Sequence, residues 1–169
     1  MGQVVRDVGP ETHLVKAGMP TMGGVLIILA AGVSTLLWAD MTNPYILIAL
    51  VSLFWMGAIG FLDDYLKVVQ GKPRGLIARY KMVGQWTFGL ALGAFLIWYP
   101  ISPHPSTATS VPFFSDVQAN FFPAAFIIFT GFIVSGTSNA VNFTDGLDGL
   151  AAGLTAISAV TFGIFAYIA

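Results

Sequence analysis

Cysteine is absent from the 169-residue chain, and charge is scarce: seven Lys and Arg and eight Asp and Glu make up 9% of the residues. The first absence excludes a disulfide framework, thiolate metal sites and cysteine nucleophiles. The second excludes an ordinary soluble domain, in which about 25% of residues are charged. The formal net charge of −1 gives no basic excess for a polyanion, so no nucleic-acid partner is expected. The opening residues, MGQVVRDVGPETHLVKAG, lack the apolar run of a secretory signal peptide. Arg6 stands where a myristoylation signal needs Ser or Thr. There is no low-complexity tract and no repeat of fixed period.

What the chain has in abundance is apolar length. Hydrophobic residues are 56% of the total and mean hydropathy is +0.82. A helix needs about 20 apolar residues to cross the hydrocarbon. Five stretches have that character, at roughly 22–39, 45–62, 82–99, 121–140 and 149–169. Unpaired backbone is excluded from lipid, so all five are expected to be helices. The fold class is therefore all-α, a polytopic membrane helix bundle forming one integral membrane domain over 1–169.

The seven basic residues are Arg6, Lys16, Lys67, Lys72, Arg74, Arg79 and Lys81. They fall only in the N-terminal segment and in the loop after the second span, which alternation puts on one side. That side is expected to be cytoplasmic. Loops 40–44 and 100–120 carry no Lys or Arg and are expected outside, with Trp38, Tyr45, Trp98 and Tyr99 in an outer aromatic belt. Pro100, Pro103, Pro105 and Pro112 predict an irregular loop over 100–120. Segments 9–24, 63–81 and 139–149 then share the inner face, and of the eight acidic residues only Asp40 and Asp116 lie outside that face.

Three features of that face could carry chemistry. Asp63 and Asp64 end the second span, where adjacent anions repel each other and oppose the helix dipole. A bound cation would relieve both effects, and Mg²⁺ takes such oxygen ligands; a solvated acidic pair at a helix exit is the plainer reading. In NAVNFTDGLDGLAAG, Asn142, Asp145 and Asp148 are spaced three apart and on a helix would share a face; Gly146 and Gly149 fit a loop entering a helix equally well. Capping of the fifth span explains one Asp of this set better than two. GPETHLVKAGMPTMGG offers Glu11, His13, Lys16 and Thr21 beside a Gly pair that backbone or ligand could approach closely. Taken alone, that segment reads as a turn-rich loop. Together the three suggest metal-assisted chemistry on a phosphate at a membrane surface, without naming a substrate.

These three segments, with GLIARYK after the Asp pair, resemble the phospho-N-acetylmuramoyl-pentapeptide transferases, the MraY translocases of peptidoglycan synthesis. The order and spacing agree over nearly the whole chain. HxxKxGxPTMGG at 13–24 favours this branch over sister transferases that use UDP-GlcNAc. The resemblance implies transfer of phospho-MurNAc-pentapeptide from UDP to undecaprenyl phosphate, giving lipid I and UMP, with Mg²⁺ as cofactor. It implies Asp63, Asp64 and Asp145 as catalytic and metal-binding residues. Lys16, Thr21, Lys81, Asn142 and Asp148 are implied as substrate-binding residues. It also implies a multi-pass protein of the bacterial inner membrane, in contact with membrane lipids, with its active site on the cytoplasmic face and room for a homodimer. Met19 departs from the usual Thr of the family's GTPTMGG. The later FMGD and HHH motifs do not occur, so the chain reads as a fragment lacking the first helix and the C-terminal part. The reading from another class is a non-catalytic membrane scaffold. The absence of acidic residues within the spans counts against an ion pathway.

Overall fold

The computed structural model describes residues 23–72, 75–100, 107–111, 114–144 and 149–168. Five helices and one hairpin follow in the order α1 (Gly23–Trp38), α2 (Pro44–Val68), α3 (Ala78–Trp98), β1 (Ala108–Val111), β2 (Phe114–Asn120), α4 (Pro123–Thr144) and α5 (Leu150–Ile168). Helices α2, α4 and α5 are long and apolar enough to cross a membrane. Helix α1 is apolar but has 16 residues, and α3 carries Arg79, Lys81 and Gln85 within its 21.

Local chemistry sets the start of α2. Asn43 caps it, its side chain accepting from Tyr45 N–H at 2.9 Å, and Pro44 occupies the first turn. Asp40 makes the turn before it, accepting from the Thr42 hydroxyl at 2.6 Å and the Thr42 N–H at 2.9 Å. These two donors hold its carboxyl below the usual carboxylate range. At about 1.5 Å per residue, Asp63 stands about 29 Å along the helix from Pro44. That is close to the full hydrocarbon thickness of about 30 Å. A bilayer that Pro44 enters on one side would therefore have the carboxylate pair at its other edge, and the helix continues past the pair to Val68 rather than ending there.

Segment 100–120 differs from the irregular loop its prolines predict. Ala108–Val111 and Phe114–Asn120 pair as an antiparallel hairpin, with Ala108 opposite Asn120 and a register shift between Ser110 and Val111. The prolines fall outside both strands, and β-branched Thr109 and Val111 favour the extended form. Residues 101–106 lie outside the described residues. Helix α4 also exceeds expectation, because the polar run SGTSNAVN stays helical as far as Thr144.

Packing is tightest between α3 and α4. A Cβ on Gly89 would stand 2.7 Å from the Gly131 Cα, and one on Gly93 would stand 2.9 Å from the Ile127 Cα. The two backbones touch in antiparallel register, and Gly89 and Gly93 form a GxxxG stripe of the kind that lets membrane helices approach. Trp86 lies over Gly131 and packs edge-on against Phe132 at 4.9 Å between ring centroids. Helix α2 joins through Trp55, which stacks on Phe88 and donates its indole N–H to the Gly84 carbonyl at 3.0 Å. Helix α1 leans on α2, with Gly32 under the Phe54 ring and Gly57 under Ile28. Helix α5 buries no residue, so its apolar surface faces outward, as suits lipid.

Candidate active site

The site is assembled from the end of α2, the turn that follows it, and the start of α3. Asp63 is 5% exposed. Its Oδ1 accepts from Leu76 N–H at 2.8 Å. Its Oδ2 accepts from Lys67 Nζ at 2.5 Å and from Lys81 Nζ at 3.0 Å. The turn reaches it by doubling back: Lys72 N–H donates to Leu66 O at 3.0 Å, and Gly75 N–H donates to Lys72 O at 2.9 Å. Gly75 has φ +58°, and a Cβ there would collide with Asp63 Oδ1 and come within 2.6 Å of Lys67 Cε. Glycine is required at this point both by the backbone angle and by the approach of the carboxylate.

The two acids of the pair thus have different surroundings. Asp64 has a side chain 49% exposed, with Oδ1 4.0 Å from Lys67 Nζ. The repulsion and dipole conflict anticipated for this pair are relieved within the protein by two ammonium groups. Nearby, the Arg79 guanidinium lies 5.0 Å from the centroid of the Tyr80 ring.

One turn into α3 lies a buried polar clasp. Gln85, 5% exposed, donates from Nε2 to Ser138 Oγ at 3.0 Å. Its Oε1 accepts from Asn139 Nδ2 at 2.9 Å and from Ser135 Oγ at 3.4 Å. Asn139 Nδ2 also donates to the Ser135 carbonyl at 2.8 Å. In a medium that offers no water, a side-chain amide with both ends satisfied is a specific link between helices. The clasp stands four residues from Lys81 on α3 and three from Asn142 on α4. Continued in the same antiparallel register, it brings the end of α4 level with the start of α3.

Of the residues singled out from sequence, the structure joins Asp63 to Lys81 directly and sets Asp64 beside them. Asn142 is exposed near the end of α4. Lys16, Thr21, Asp145 and Asp148 lie outside the described residues. Among the described residues no group of three or more His, Asp or Glu could hold a metal ion, so the expected set of Asp63, Asp64 and Asp145 is represented by its first two members. A hard cation fits Asp64, a half-exposed oxygen donor at the membrane edge. It fits Asp63 poorly, because both oxygens of Asp63 are engaged by nitrogen donors. Gln85, Ser135, Ser138 and Asn139 were not singled out from sequence. Their signal was present: a Gln inside an apolar span, and a Ser/Asn run in a helix that should have been apolar.

The glycosyl transferase family 4 model matches residues 44–169. The phospho-N-acetylmuramoyl-pentapeptide-transferase of Gemmatimonas aurantiaca is 48% identical over 176 residues, covering 98% of this chain and 46% of the relative. The protein of the same name from Desulforapulum autotrophicum is 49% identical over 172 residues, covering 100% of this chain and 46% of the relative. The chain thus spans about half the length of the curated relatives it matches. The family match takes in α2 through α5, including the Asp63–Lys81 cluster and the α3–α4 clasp: the chain belongs to glycosyl transferase family 4.

Proposed function

We propose that the chain forms part of an enzyme that transfers phospho-MurNAc-pentapeptide from UDP to undecaprenyl phosphate. A phosphate oxygen of the lipid attacks the sugar-bearing phosphorus of the nucleotide. The bond to UMP breaks, and UMP leaves with the electron pair as lipid I forms. The observation that carries this reading is the Asp63–Asp64–Lys81 cluster at the membrane edge of α2, in a chain 48% identical to transferases of that name over nearly its full length. A lipid phosphate and a soluble nucleotide can meet at such an edge, and nowhere deeper.

In-line phosphoryl transfer is helped chiefly by positioning and charge neutralisation. Lys81 supplies an ammonium to a phosphate oxygen. Asp64 provides a hard oxygen donor for Mg²⁺, which when bound would neutralise diphosphate charge; the family resemblance adds Asp145 to the donor set. The clasp of Gln85 and Asn139 sets the end of α4, with Asn142, against the start of α3.

The test is a graft of this chain in place of the matching stretch of the Gemmatimonas aurantiaca relative. The graft is purified into nanodiscs and given undecaprenyl phosphate, UDP-MurNAc-pentapeptide and MgCl2. Release of UMP with formation of lipid I is expected. The 169-residue chain alone is expected to release none, because a looseness of about 1 Å in a catalytic constellation already costs about 10²-fold. A graft that works only with UDP-GlcNAc would assign the chain to the sister activity, and one that is folded but inert would remove the transferase reading.

The proposed orientation places 63–81 on the cytoplasmic face of a bacterial inner membrane and the hairpin outside. It is supported by the clustering of Lys and Arg and by the position of the hairpin at the opposite end of α3. The chain has no cysteine, so single Gln70→Cys and Asn120→Cys variants report cleanly. An impermeant thiol reagent added to intact cells is expected to modify the second only, and modification of the first alone would invert the orientation.

A further inference from the structure

Adjacent in sequence, Asp63 and Asp64 invite a single assignment. Their surroundings argue for two. The Asp63 carboxylate accepts from Leu76 N–H on one oxygen and from Lys67 and Lys81 on the other. Gly75 closes over it at a distance that admits no Cβ. Lys67 and Lys81 already balance the charge of the two carboxylates, which leaves a divalent cation little electrostatic gain at Asp63. A cation binding there would also have to displace both amines and strip the Leu76 amide of its acceptor, with the desolvation cost that an unpaired amide carries. Asp64 lies at the rim of this arrangement, its side chain half exposed and its Oδ1 4.0 Å from Lys67 Nζ.

We propose that Asp63 is a positioning residue for Lys81 and not a metal ligand. It ties the end of α2, the backbone at Gly75 and Leu76 and the first turn of α3 into one unit, and so holds the Lys81 ammonium in place. An ammonium has three N–H donors, and the Asp63 contact takes one. With its side chain 24% exposed, Lys81 can turn the others toward a phosphate. The identity of that phosphate rests on the transferase reading; the clamp does not.

Competitive amine acylation of the 169-residue chain in nanodiscs, read by mass spectrometry at each lysine, tests the clamp without turnover. Lys81 is expected to react at least about fivefold more slowly than exposed Lys72, the margin of an ion pair at a partly buried site. Asp63→Asn is expected to bring Lys81 to the Lys72 rate, and Asp64→Asn to leave it slow. Gly75→Ala is the second route. It pushes the carboxylate aside without removing its charge, and Lys81 should again become reactive. Millimolar MgCl2 added to the unsubstituted chain should leave Lys81 slow. Three results would each overturn the proposal: a wild-type Lys81 as reactive as Lys72, a Lys81 that stays slow in both folded variants, or a Lys81 released by Mg²⁺. The Mg²⁺ arm needs no variant, so it decides even if both substitutions unfold the chain. Failure of the graft to release UMP would remove the transferase reading and leave the acylation pattern standing.

Discussion

Asp64→Asn in the grafted transferase is expected to lower UMP release by at least about 10²-fold, the order seen when one electrostatic contact to a reacting centre is removed, with the melting temperature unchanged. The amide keeps the size and polarity of the side chain and removes its charge. Because Asp64 is half exposed, solvent screens the loss of its charge, so the effect should appear in the rate rather than in stability. Asp63→Asn makes the contrast. It leaves Lys67 and Lys81 facing a neutral group, and breaking a buried ion pair from one side costs up to about 3–5 kcal/mol. Loss of activity in that variant should therefore come with a lower melting temperature. Turnover in Asp64→Asn within a fewfold of the parent, across a Mg²⁺ titration, would take Asp64 out of the catalytic set.

Gly89→Leu should open the α3–α4 seam. The Gly89 position faces the Gly131 backbone, with a Cβ placed only 2.7 Å from the Gly131 Cα. A flexible side chain could move aside, but a helix backbone can yield only if the whole helix shifts. Overpacking of this kind costs about 1–3 kcal/mol or more. The Gln85 clasp lies one turn away, on the same face of α3, and depends on the same close approach. The readout is a disulfide between Met82→Cys and Asn139→Cys, whose native side chains meet at 3.5 Å. The bond should form readily in the otherwise unsubstituted chain and be lost when Gly89→Leu is added. Undiminished cross-linking together with an unchanged melting temperature would mean that the seam tolerates the side chain, and that the backbone contact is not what sets its register.

Much of this protein was legible before any coordinates. Scarce charge and long apolar runs required membrane helices, because lipid offers no partner for unpaired backbone. Their extents, from Gly23–Trp38 to Leu150–Ile168, lie within a few residues of the apolar stretches, except where α2 and α4 run on. They run on because polar residues at a membrane edge, or turned toward another helix, do not end a helix; only an unsatisfied backbone would. Asp63 and Asp64 stood out by type and position, and Lys81 through the family resemblance. What no linear reading held was the division of labour between the two acids. That division depends on Gly75, twelve residues on, turning its backbone toward one carboxylate and leaving the other exposed. Nor could the sequence show that Gln85 would find Ser138 and Asn139, more than fifty residues away, since only the glycine-mediated approach of α3 and α4 makes a polar pair in lipid cheaper than two solitary ones. Composition and local pattern determined that there would be helices and roughly where they would lie. Tertiary packing decided which polar side chains meet, because that depends on the register of helices that are distant in the chain.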